Sequence, residues 1–292
     1  MTLRDPQGHP EQRRGIALIT GGSSGIGEAF AEVFAAEGFD IVITARREER
    51  LRAVQSRLQQ RYGCRVELIV EDLERPEAPA RLCAELEARG LKIDALVNNA
   101  GYGVPGSYLS SGWEVHARFL QIMVTAVAEL THRLLPGMIE RRYGRIVNVA
   151  SLAGLVPSPA GHTLYAAAKA FLIKFSESLG HEVGGDGVLV TALCPGFTFS
   201  EFHDVTGTRE MMNKMPGWMW MSAQDVARKG YDAVMAGEPI VVTGRLNSAI
   251  ATLVRVLPQR LVVGLGRKIG RSYRKACTAS VGIRDQGSKA SS

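Results

Sequence analysis

The sequence predicts an α/β fold: a doubly wound parallel sheet with helices on both faces, plus a C-terminal helical extension. Three observations predict it. Short apolar runs alternate with helix-patterned segments along the chain. The runs are almost continuously apolar, as strands covered on both faces must be. A glycine-rich turn follows the first run directly, and sheets of this kind bind ligands at the carboxyl ends of their strands.

The elements follow in order. "IALIT" at residues 16–20 is a short apolar run stopped by glycines, so it reads as a buried strand. "GEAFAEVFAAEG" at 27–38 has helical spacing and ends at a glycine. "DIVITA" at 40–45 is a second strand, followed by a charged amphipathic helix from Glu48 to about Tyr62. "RVELIV" at 65–70 is a third strand and "APARLCAELEARG" at 78–90 another helix. "DALVNNAG" at 94–101 is a fourth strand ending in polar residues. A long helical region spans about 114–142. It is followed by the strand "GRIVNVAS" at 144–151, a helix containing Tyr165, and the strand "GVLVTALCPG" at 187–196.

The chain has 292 residues, which suits one large α/β domain with additions, and 46% hydrophobic residues supply its core. The expected organisation is a flexible segment over 1–13 and the main α/β domain over 14–245. A basic, apolar helical extension follows over 246–281, then a disordered tail over 282–292. The first residues hold no apolar run of the signal-peptide kind. The four cysteines, Cys64, Cys83, Cys194 and Cys277, form no CxxC pair and no His cluster accompanies them. They read as small core residues of a cytoplasmic protein, and no metal site is expected. The net charge is +6, and it is local. Residues 255–289 hold nine Lys or Arg against one acid, Asp285, so that segment carries +8 and the rest about −2. A nucleic-acid groove across the fold is therefore not expected.

The turn "TGGSSGIG" at 20–27 places Gly21, Gly25 and Gly27 in the spacing G-x-x-x-G-x-G. Glycines there allow a tight turn and let the backbone approach a pyrophosphate. Free N–H groups at the helix start hold the anion, and Ser23 and Ser24 add hydroxyls. An NAD site usually has an Asp or Glu at the end of the second strand for the ribose 2′-hydroxyl. This chain reads Thr44-Ala45-Arg46-Arg47 there. Guanidinium groups suit a 2′-phosphate, so the expected cofactor is NADP(H), with Arg46 the better candidate.

"YAAAK" puts Tyr165 and Lys169 at i and i+4, on one helix face one turn apart. Alone, the stretch is a good helix with a chance polar pair, or an acid held beside a cation. Together with "NNAG" at 98–101, "NVAS" ending at Ser151 and "PGFT" at 195–198, it resembles the short-chain dehydrogenase/reductase family over roughly residues 14 to 245. The resemblance implies a Rossmann-type fold and the following roles. Tyr165 is the catalytic acid, Lys169 holds the nicotinamide ribose and lowers the tyrosine pKa, and Ser151 orients the substrate carbonyl. Gly21, Ser23, Ser24, Gly25, Ile26 and Gly27 form the cofactor turn. Asp72 and Leu73 border the adenine, while Asn99, Ala100 and Gly101 border its ribose. Pro195, Gly196 and Thr198 lie beside the nicotinamide amide. The chemistry is coherent in its own right. A ketone oxygen that receives charge needs a proton, and an unperturbed tyrosine with a pKa near 10 needs help to act as a base at pH 7.

One departure stands out. The family usually carries an asparagine in the long helix before the fifth strand, where it bends the helix and holds a proton-passing water. That position falls here on Met123. Either Met123 is core filler and the backbone carbonyl still serves, or the site is impaired. In the second case the protein is an NADP-binding regulatory or scaffold protein. A dehydratase or epimerase on the same scaffold would also use the tyrosine and lysine. The leading expectation, from Ser151, Tyr165 and Lys169 together, is reduction of a ketone or oxidation of the matching secondary alcohol, and the substrate is expected to be lipophilic. That last expectation rests on "REMMNKMPGWMWM" at 209–221, within a substrate lid over about 199–222, with five of the nine Met and two of the three Trp. Residues 246–270 are apolar but interrupted by Arg255, Pro258 and Arg260, which suits an interfacial helix near anionic lipid or a helix packed on the domain or a homo-oligomer partner.

Overall fold

The computed structural model describes residues 15–104, 106–157, 163–198 and 220–257. The expected N-terminal segment, most of the lid and the chain beyond Leu257 lie outside the described residues. Seven parallel strands form one sheet in the order β3-β2-β1-β4-β5-β6-β7. They are β1 (Ile16–Thr20), β2 (Asp40–Ala45), β3 (Val66–Val70), β4 (Ile93–Asn98), β5 (Gly144–Val149), β6 (Val188–Cys194) and β7 (Ile240–Val242). The helices are α1 (Gly25–Ala36), α2 (Glu48–Tyr62), α3 (Ala78–Ala88), α4 (Trp113–Leu120), α5 (Ala126–Glu140), α6 (Thr163–Val183), α7 (Ala223–Ala236) and α8 (Arg245–Val256). The sequence reading stopped at β6. It did not resolve α7 or β7, because "IVV" is too short to show a period.

Two cores sandwich the sheet. Phe30 and Phe34 of α1, Leu51 and Leu58 of α2, and Val226 and Tyr231 of α7 cover one face. Leu82 of α3, Phe119 of α4, Leu130 of α5 and Leu179 of α6 cover the other. Strand order reverses between β1 and β4, so the turns after those two strands open a crevice at the carboxyl edge. Thr20 closes its floor. Its Oγ1 donates to the Val97 carbonyl and accepts the N–H groups of Asn99 and Ala100 at 2.9 and 3.0 Å.

The long helical region is continuous but not uniform. A π-helical turn, Gln121–Thr125, joins α4 to α5, with the Ala126 N–H donating to the Gln121 carbonyl. Among the described residues, the stretch Trp113–Glu140 is the one helix long and apolar enough to cross a membrane. Its inner residues, including Met123 and Met138, are buried in the core beside β4 and β5.

Under the carboxyl edge runs a chain of buried polar side chains. Asn98 of β4 donates to Thr131 of α5 and to Asn148 of β5, and Asn148 donates to Ser176 of α6. These buried bonds fix α6 against the strands. Cys64 and Cys194 are buried, and burial pushes the Cys83 thiol up to about 11, which leaves it inert.

Helix α8 packs one face on the domain and turns the other outward. Asn247 and Ala251 are buried against the domain, while Leu246, Leu253 and Val256 are exposed.

Candidate active site

The glycine turn is built as a cradle. Gly21 has φ +67°, and a methyl there would lie 2.8 Å from the Asn99 amide; one on Gly27 would overlap the Gly21 carbonyl. Asn99 donates to the Thr20 carbonyl at 2.9 Å, lacing the turn after β4 to the turn after β1. Ser24 is the N-cap of α1 but makes no capping bond with its side chain. The first N–H groups of α1 are thereby left for an anion, which fits a dinucleotide pyrophosphate. Ile26 packs under the turn against the first core.

The two arginines divide. Arg46 pairs with Glu74 at 2.7 Å, whereas Arg47 donates to Ser24 at 3.2 Å and to Ser23 at 3.5 Å, leaning over the cradle. The sequence favoured Arg46. Both guanidiniums border the crevice, so both are candidates for a 2′-phosphate. Asp72 accepts the Glu74 N–H at 3.1 Å inside its own turn after β3, and Leu73 is buried beside it.

Ser151 follows β5 and caps a short 3-10 turn, its Oγ accepting the Ala153 N–H at 3.1 Å. Its hydroxyl is also hydrogen-bonded to that of Tyr165 on α6. Gly154 makes this possible. A methyl there would lie 2.7 Å from the Lys169 carbonyl carbon, so the turn rests directly on the backbone of α6. Sequence reasoning missed Gly154, because close approach between distant segments leaves no local pattern. We expect Gly154→Ala to lift the turn off α6 and lower kcat at least about tenfold, since small misplacements in a site are costly. An unchanged kcat in a folded variant would refute this.

Lys169 is 7% exposed, and its Nζ donates to the Val149 carbonyl at 2.6 Å. The ammonium lies 5.7 Å from the centre of the Tyr165 ring. Burial lowers its pKa from 10.5 to about 8. Burial also raises the pKa of Tyr165, and the Ser151 hydrogen bond offsets only part of that rise. The sequence expected the opposite shift for the tyrosine. The physical reason is desolvation: both groups are buried together, and Lys169 is turned toward Val149.

Pro195 and Gly196 continue from β6. The Leu152 N–H donates to the Pro195 carbonyl at 2.9 Å, tying this loop to the turn of Ser151. Thr198 is buried and donates to the Gly196 carbonyl at 3.2 Å. Gly196 also abuts Asn247 of α8, leaving no room for a side chain. At the π turn, the Met123 sulfur fills the space beside Gly101. Met123 is 1% exposed and joins the second core, so it is packed as a core residue.

The geometry therefore brings the turns after β1, β4, β5 and β6, together with α6, to one edge. The family model described as short chain dehydrogenase matches residues 15–210. The chain belongs to the short-chain dehydrogenase family. A very-long-chain 3-oxoacyl-CoA reductase of Anas platyrhynchos is 34% identical over 195 residues, covering 65% of this chain and 62% of that one. The chain spans about three fifths of the length of such curated relatives. Among solved structures, a short-chain dehydrogenase from Sphingobium yanoikuyae in complex with NADPH is similar at 30% identity. Its TM-score is 0.73, covering 84% of this chain and 96% of that one. A bulky-bulky ketone specific alcohol dehydrogenase from Comamonas testosteroni is similar at 27% identity. Its TM-score is 0.70, over 85% and 96% of the two chains. Within this short-chain dehydrogenase, Thr20 is a further support that the sequence reading quoted without assigning it a role.

Proposed function

We propose that the protein is an NADP(H)-dependent oxidoreductase that reduces a lipophilic ketone, or oxidises the matching secondary alcohol. The observation that carries this reading is the meeting of Ser151, Tyr165 and Lys169 beside the glycine cradle. The relatives support the class. One is named for 3-oxoacyl-CoA reduction and another for bulky ketones, and a third is bound to NADPH. When bound, NADPH supplies the hydride. The Tyr165 hydroxyl gives its proton to the substrate oxygen, and its raised pKa keeps that proton in place at neutral pH. Ser151 holds the oxygen where charge develops. Lys169 would hold the ribose hydroxyls of the bound cofactor.

The test is NADPH oxidation with a panel of aliphatic, acyl and sterol ketones. Turnover abolished in Tyr165→Phe supports the reading. Binding of NADPH with no such turnover replaces it by the scaffold reading, which Met123 motivates. Against that second reading stands the π turn, which reshapes the helix where the family has its asparagine.

The arginines carry the cofactor preference. The double variant Arg46→Ala, Arg47→Ala is expected to raise the KM for NADPH about tenfold to a hundredfold, as loss of charge-assisted hydrogen bonds does. The KM for NADH should barely move. Steady-state kinetics with both nucleotides decide this, and an unchanged NADPH/NADH ratio sinks it.

The outward apolar face of α8, next to the basic residues 255–289, suits peripheral contact with anionic lipid. Pelleting with anionic but not zwitterionic vesicles, reversed by salt, is the expected result. Soluble protein in both cases favours packing on a second copy of the chain.

A further inference from the structure

A cavity beside Tyr165 is walled by Val104, Phe119 and Leu164, and by Tyr108 and His116. It lies between the segment after β4, helix α4 and the start of α6. The wall is apolar and aromatic except at His116, Ser107 and Thr163. His116 alone among these brings a buried polar atom without a partner: its Nδ1 has none among the described residues.

The state of that atom can be deduced. His116 Nε2 lies 2.8 Å from the Tyr108 carbonyl. A carbonyl only accepts, so Nε2 must carry the hydrogen. In the neutral ring, which has a single N–H, Nδ1 then presents a lone pair. Flipping the ring would put a carbon in place of Nε2 and lose this bond. The ring is further held by stacking on Tyr108, with centroids 4.8 Å apart and planes at 19°. His116 is 6% exposed, whereas the Tyr108 ring over it is 44% exposed. The free protein thus keeps a buried, unmatched nitrogen beneath a half-exposed ring. An unmade hydrogen bond at a buried acceptor is costly, and a ligand that supplies the donor removes the cost.

We propose that His116 is a specificity-determining residue whose Nδ1 accepts a hydrogen bond from a hydroxyl or amide N–H that the substrate carries apart from its reacting carbonyl. This rests on the ketone-reductase reading and deepens it. The substrate is then an apolar ketone with a second, donor-bearing polar group, and a plain hydrocarbon ketone is a poor one.

The test uses the full chain with NADPH and matched pairs of lipophilic ketones. Each pair is a hydroxyketone and its methyl ether, with the hydroxyl at graded distances from the carbonyl. The expected result is that one spacing shows a kcat/KM preference for the free hydroxyl of at least about tenfold. In His116→Phe that preference should fall to about one. In His116→Gln, whose amide oxygen still accepts, part of it should return. Circular dichroism and NADPH titration check that both variants fold. Turnover with no hydroxyl preference at any spacing, or a preference that survives in folded His116→Phe, overturns the proposal and leaves the reductase reading standing. Absence of any Tyr165-dependent turnover overturns both.

Discussion

Tyr165→Phe is expected to lower kcat for ketone reduction by about a thousandfold, within the range general acid catalysis contributes, while the Kd for NADPH changes less than about threefold. The phenyl ring keeps the packing on α6, and the proton donor is lost with its hydrogen bond to Ser151. Stopped turnover with intact binding, measured by NADPH fluorescence titration, is the signature. The pH profile sharpens it. Burial raises the Tyr165 pKa above its ordinary value of 10.0, so the acid stays protonated through neutral and mildly alkaline pH. A fall of reductive kcat/KM near pH 8 would therefore belong to Lys169, whose pKa is about 8 in the free protein. A variant that retains more than a tenth of wild-type kcat would remove Tyr165 from the chemistry.

The second large effect has opposite signs for activity and stability. Lys169→Met is expected to cut kcat/KM at least a hundredfold, roughly the weight of a positioned acid–base group, and yet to make the cofactor-free protein harder to unfold. The folded pKa of Lys169 is about 8 against an ordinary 10.5. Below pH 8 both folded and unfolded chains hold the proton, and the fold bears the full cost of burying an ammonium, roughly 3 kcal/mol. Between pH 8 and 10.5 the unfolded chain binds the proton that the folded one lacks. Wild-type stability then rises with pH across that window. Methionine avoids the cost but leaves the Val149 carbonyl without its donor, so the net gain at pH 7 is about 2 kcal/mol. Urea melts from pH 7 to 10 should show the variant's advantage shrinking as pH rises. A variant less stable than wild type at pH 7, or an advantage that does not change with pH, contradicts this.

Much of this site could be read before the fold was known, because its parts are local. The glycine turn, the pair Tyr165 and Lys169, and the missing carboxylate after β2 are all set by spacing along a few residues. What could not be read is what distant segments do to each other. Gly154 matters only because α6 passes against it. The upward shift of the Tyr165 pKa depends on burial, and spacing carries no information about burial. Arg47 is distinguished from Arg46 only by where Ser23, Ser24 and Glu74 lie. His116 gave no signal at all, since its meaning depends on the carbonyl of Tyr108. At the other extreme, β7 was too short to announce itself.

Helix α8 joins the surface to the carboxyl edge of the sheet. Asn247, on its inner face, donates to the Thr243 carbonyl at 2.8 Å and abuts Gly196, in the loop proposed to border the nicotinamide. The outer face offers Leu246, Leu253 and Val256 to whatever lies outside. The helix is thus a handle whose grip is on the surface and whose shaft ends at the Gly196 loop. If grasping it moves that loop, recruitment and nucleotide affinity cease to be separate properties. A surface that binds the handle more tightly when NADPH is present must, by the same factor, tighten the hold on NADPH.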